Sequence, residues 1–211
     1  MDDDPRGRTT ITPENPLGLP YHLSEEERAI AANCAHRLAT VDYWLKEISA
    51  WMGWKRETVQ ALAAEGSLGI DPAARLCFLY GSGLKFCYDN LDTGERIIGW
   101  RFGKPTLWRL GRQEGAQKVY LTEGEPDAIS LLDEGVEREP GVSVLAVPCA
   151  SFRLAPLAPL FKDKEVVLVS DPGTNRARVL EPYVESLGYI SSRPKAGADR
   201  ILVKRRQRRA G

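Results

Sequence analysis

Three carboxylates in the second half of the sequence stand where acids do chemistry. Glu123 and Asp127 lie in KVYLTEGEPDAISLLDEG, residues 118–135, where an apolar run at 119–121 leads straight into Glu123 and a helical pattern starts at Asp127. Asp171 follows another apolar run, EVVLVS. In parallel sheets, functional groups gather at the carboxyl ends of the strands. If the strands before Glu123 and Asp171 lie side by side, the three acids converge. Converging carboxylates repel one another unless a hard cation such as magnesium neutralises them. Gly124, just after Glu123, lets the backbone pass close to a bound phosphate. The pattern points to magnesium-dependent phosphoryl-transfer chemistry, with manganese as the alternative ion.

The elements that must position these acids can be read from the hydrophobic pattern. From Lys118 onward, strands VYLT, VSVLAVP and EVVLVS alternate with helical stretches at 127–134 and about 175–187, and YISSRP offers a fourth strand. Apolar runs this continuous imply burial on both faces, hence an α/β parallel sheet with crossover helices. The first half differs. Residues 1–22 read as a disordered lead-in rich in Pro, Gly and polar residues. Ser24 and Glu27 form a capping-box signature before a first helix. Val41, Trp44, Leu45, Ile48 and Trp51 give a second helix ending at Gly53, and a third spans about 55–64. LCFLYG, LKFCYDN, a DTGE turn, RIIGWRFG and PTLWRLG then suggest a small antiparallel meander. This gives an α+β subdomain at 23–116, an α/β domain at 117–203 and a basic tail at 204–211.

Composition narrows the classes. The chain has 211 residues, with 29 Lys and Arg balanced by 29 Asp and Glu, so net charge alone indicates neither nucleic acid nor membrane. Local charge is more telling: the start, MDDDP, is acidic and the end, VKRRQRRAG, is basic. The four cysteines have no Cys-x-x-Cys spacing and only two histidines accompany them, which excludes a zinc framework and fits reduced thiols in the cytoplasm. No run is long and apolar enough for a membrane span, so no membrane partner is expected. The meander carries Lys85, Arg96, Arg101, Lys104, Arg109 and Arg112, interleaved with Trp100, Phe102 and Trp108. That mixture suits a phosphate backbone with bases stacked on rings. A sheet with a cationic solvent face gives the same pattern.

The acidic stretch VYLTEGEPDAISLL, with VLAVPCASF and DKEVVLVSDPGTNRARVLEPYVESLGY, resembles the Toprim domain shared by bacterial-type primases, topoisomerases and some nucleases. The likeness covers about 117–203. A looser one, carried by order and character, extends it back to about residue 50 and resembles the subdomain that precedes Toprim in bacterial and phage primases. The resemblance implies that Glu123 acts as general acid/base or organises metal, that Asp127 and Asp171 hold the cation, and that Asp199 in AGADRIL is a further acid. One departure stands out. Where the family has Asp-x-Asp-x-x-Gly, this chain has DPGTNR, placing Gly173 at the second aspartate and Arg176 at the glycine.

The resemblance leads to a primase-type protein that binds single-stranded DNA or RNA and nucleotides and carries out magnesium-dependent nucleotidyl transfer at a degenerate metal site. Lys85, Arg101, Lys104, Arg109 and Arg176 are its expected phosphate contacts. Two alternatives use the same residues: a small Toprim nuclease, and a catalytically silent nucleic-acid-binding module in which Arg176 grips phosphate. Neither a zinc module nor a Gly-Lys-Ser/Thr loop is present in the sequence, so a separate helicase or template-recognition protein is expected as partner.

Overall fold

The computed structural model describes residues 22–169 and 175–190. The lead-in, the basic tail, Asp171, Gly173 and Asp199 lie outside the described residues. The chain divides into two compact units, Met1–Leu45 with Gln60–Leu110, and Lys46–Val59 with Gly111–Gly211. Helices α2, Asp42–Met52, and α3, Arg56–Ala64, each span a point of division. Among the described residues no helix is long and apolar enough to cross a membrane.

The first unit is built from helix α1 and an antiparallel sheet. Helix α1, Glu25–Thr40, starts at the predicted capping box: Ser24 Oγ accepts from the Glu27 N–H at 3.2 Å, and the Glu27 carboxylate accepts from the Ser24 N–H at 2.8 Å. Strands β1, Leu68–Ile70, β2, Leu76–Tyr80, β3, Gly83–Asp89, and β4, Arg96–Gly103, pair in the order β1-β2-β3-β4. Cys34 and Ala35 of α1 pack on Cys77, Leu79 and Leu84, with Phe86 and Phe102 at the margin. The helix comes so close to the sheet that a Cβ at Gly69 would sit 2.7 Å from the Cys34 carbonyl carbon. On the other side of β2, Phe78 meets Trp108 edge to face at 6.4 Å.

Two expectations need correction here. PTLWRLG does not form a strand. It makes a single bridge, at Trp108, and then turns; Trp108 is buried and donates its indole N–H to the Ser67 carbonyl at 2.9 Å. The pattern also missed β1, whose three residues are too few to show a period.

The second unit carries the parallel sheet. Its strands are β5, Lys118–Thr122, β6, Val142–Ala146, β7, Glu165–Val169, and β8, Ser186–Ile190, in the order β6-β5-β7-β8 with every pair parallel. Val119, Leu121, Val144, Leu145, Val166 and Leu168 are buried, which is the continuous apolar signature of a sheet covered on both faces. Helix α4, Glu125–Glu134, carries Pro126 in its first turn and ends on Gly135 at φ 85°. Helix α5, Asn175–Leu180, is shorter than expected. Pro182 disfavours helical backbone at Glu181, so the chain turns and starts β8 at Ser186, earlier than YISSRP implied.

The Gly69 contact gives a direct test of how α1 is seated. Gly69→Ala should lower stability by about 1–3 kcal/mol, since backbone atoms of α1 would have to retreat. Urea unfolding measures it. A change within about 0.5 kcal/mol, typical of an unconstrained surface site, would show that α1 is not held at this distance.

Candidate active site and nucleic-acid face

The carboxyl end of β5 leads into two of the predicted acids, Glu123 and Asp127. β5 lies between β6 and β7, and Thr122 is level with both Ala146 and Val169, so the three strands finish together. Thr122 Oγ1 is buried and donates to the Gly124 carbonyl at 2.8 Å, fixing the turn from strand to helix. Glu123 leaves the end of the strand, and Asp127 follows in the first turn of α4. The side-by-side placement of β5 and β7 is the arrangement convergence requires.

Charge repulsion registers at Asp127. Its carboxyl is held above the ordinary aspartate value, first by partial desolvation and second by the charge of Glu123.

The charge on Glu123 already has a partner. Arg176 of α5 is buried, and its Nη1 donates to Glu123 Oε1. Its Nη2 donates to the Cys149 and Ala150 carbonyls, each at 3.1 Å. One guanidinium thus joins the turn after β5 to the loop after β6, reaching from the helix that follows β7. A planar, always-charged fork suits this three-point contact, which a lysine could not reproduce. Sequence reading placed Arg176 near the acids but missed the bond, because neither carbonyl leaves any signature in residue type.

Glu123 and Asp127 offer the hard oxygen donors that magnesium takes. One Glu123 oxygen is bonded to Arg176, however, and the described residues contain no group of three His, Cys, Asp or Glu that could hold a metal ion. The described donors fit the ion in kind but not in number.

In the first unit, the predicted phosphate contacts separate into two pairs. Arg101 and Lys104 are exposed, near and just after the end of β4. Lys85 and Arg109 are buried, which corrects their assignment to an open cationic face. Arg109 bonds the Glu65 carboxylate at 2.7 and 3.2 Å, and the Lys85 ammonium lies 5.8 Å from the centre of the Phe78 ring. Both cations are used to tie the fold together. Trp108 is fully buried and Trp100 rests half-buried against Tyr80 at 5.1 Å, so Trp108 is no stacking platform.

Removing the guanidinium should expose how much it contributes. Arg176→Ala leaves a half-buried carboxylate and two carbonyls short of a partner, a loss of about 1–3 kcal/mol after allowance for the solvent that reaches Glu123. In a double-mutant cycle with Glu123→Gln, the pair should show a coupling energy of about 1 kcal/mol or more. Strict additivity in chemical denaturation would mean that the two groups are not bonded in solution.

Comparison with solved structures finds a likeness to the primase fragment of the bacteriophage T7 primase-helicase protein. The two share 15% sequence identity, with 76% of this chain and 70% of that chain covered and a TM-score of 0.41. No known protein family's pattern matches the chain, and no curated protein matches it in sequence.

Proposed function

We propose that this chain is a primase-type Toprim protein that binds single-stranded nucleic acid and carries out magnesium-dependent nucleotidyl transfer at the carboxyl end of β5. The observation that carries the reading is the pair of acids there. Glu123 and Asp127 are presented together beside the level end of β7, and Asp127 is raised in part by the charge of Glu123. Mutually repelling carboxylates at such a strand end are what a divalent ion relieves, and a bound ion would offset charge on nucleotide phosphates. Glu123 and Asp127 would supply two of its oxygen donors. Arg176 would grip an incoming phosphate with the same fork that now holds Glu123. In the first unit, Arg101 and Lys104 supply the cationic contacts for a nucleic-acid backbone.

A second reading has its own support. The buried bond from Arg176 to Glu123 supplies the positive charge that the acids would otherwise take from an ion, which favours a catalytically silent nucleic-acid-binding module.

One gel separates these readings. The protein is incubated with labelled nucleotides, a single-stranded template and magnesium or manganese. Extension products that disappear in Glu123→Gln are the expected result. A shifted but unextended template supports the silent module, and template shortening supports a nuclease. No shift, extension or cleavage with either ion would overturn the proposal.

A further inference from the structure

A cleft in the first unit brings together residues that the sequence keeps far apart. Ile30, Asn33, Cys34 and Arg37 of α1 line it at spacings of three and four, a single stripe along one face of the helix. Ile70 and Pro72 close one side, Arg101 of β4 stands at another, and the volume is about 330 Å³. That lies at the lower end of small-ligand pockets, roughly 300–1,000 Å³.

Arg101 reaches this cleft because of an irregularity in its strand. Leu84 pairs with Phe102 and Lys85 with Trp100, so Arg101 is the extra residue of a β-bulge. In an unbroken strand, Arg101 and Phe102 would face opposite ways. Here Phe102 packs on the core beneath α1 while Arg101 lines the cleft beside α1, which is how a bulge re-aims a side chain. Arg37 is oriented by a bond from Nη1 to the Asp71 carbonyl at 3.4 Å. The buried Asp71 carboxylate does not neutralise it. That carboxylate accepts from the backbone N–H groups of Ala73 and Arg75 at 2.9 Å and from Arg75 Nε at 2.8 Å. The Cys34 thiol, lowered chiefly by its hydrogen bond with Cys77, also feels the positive fields of Arg101 and Arg37 against the opposing effects of burial and Asp71.

We propose that this cleft binds one nucleotide unit, its phosphate between Arg37 and Arg101 and its base or sugar against Ile30, Ile70 and Pro72. Two guanidiniums with no acid partner among the described residues recognise phosphate, and the apolar wall adds what a bare anion cannot use. Asn33, one turn from Arg37, offers an amide for a base edge or ribose hydroxyl. Choosing a nucleotide over other phosphate-bearing ligands rests on the nucleic-acid reading proposed above. The phosphate is either that of a free nucleotide or a phosphodiester of the bound strand.

Calorimetry with AMP, inorganic phosphate and a short oligothymidylate tests the cleft, using wild type, Arg37→Gln and Arg101→Gln, with melting curves to verify folding. Each variant should weaken AMP binding by about tenfold, the loss expected for one charge-assisted contact. If AMP fails to bind but both variants weaken the oligonucleotide several-fold, the cleft holds a strand phosphodiester and the proposal stands. Unchanged affinity for both ligands in both variants would overturn it. So would inorganic phosphate binding as tightly as AMP, since the apolar wall would then contribute nothing. Should wild type bind AMP through the two arginines but no oligonucleotide, the nucleic-acid reading fails and the cleft remains.

Discussion

The bond between Arg176 and Glu123 governs the end of the parallel sheet. Three strands finish level there, and the turn after the central one carries Glu123, with Asp127 following in the next helix. Acids so placed need positive charge close by. The guanidinium of Arg176 brings it, and by also bonding the Cys149 and Ala150 carbonyls it draws the loop after β6 and helix α5 to the same point. One side chain thus serves both charge balance and loop geometry. Where that guanidinium rests decides whether Glu123 is available to anything else.

The first unit uses its cations differently. Arg109 and Lys85 are buried among their partners, and Arg75 is spent on Asp71, so their charges secure the fold. Among the described residues, Arg37 and Arg101 have no such acid. The close approach of α1 over Gly69 and the bulge in β4 give them a shared cleft. Both features are backbone events, and each sets what a charged side chain can do.

Continuous apolar runs made the parallel sheet readable from sequence, and the Ser24–Glu27 capping box marked the start of α1 to the residue. The placement of Glu123 after a strand and of Asp127 at the start of a helix was also legible, since the apolar run breaks at Thr122 and a helical pattern begins beyond Gly124. What stayed hidden involves contacts between residues distant in sequence. Lys85 and Arg109 read as surface cations because their partners, the Phe78 ring and the Glu65 carboxylate, lie on other elements. Trp108 read as a stacking ring because its indole partner is the Ser67 backbone carbonyl, 41 residues away. The early end of α5 was available in Pro182, but the apolar spacing beyond it imitated a longer helix. Arg101 looked like any strand cation, because a bulge depends on pairing register and leaves no mark on residue type.

Arg176 holds Glu123 in an ion pair and so competes with a divalent ion for that carboxylate. Calorimetric titration of magnesium into wild type and Arg176→Gln, with folding of both verified by melting curves, addresses it most directly. Glutamine is polar and uncharged and stops short of the guanidinium's position, so it removes the charge and releases Glu123. The variant should bind magnesium about tenfold more tightly than wild type, as befits release of one carboxylate from an ion pair. Equal or weaker binding in a folded variant would contradict it.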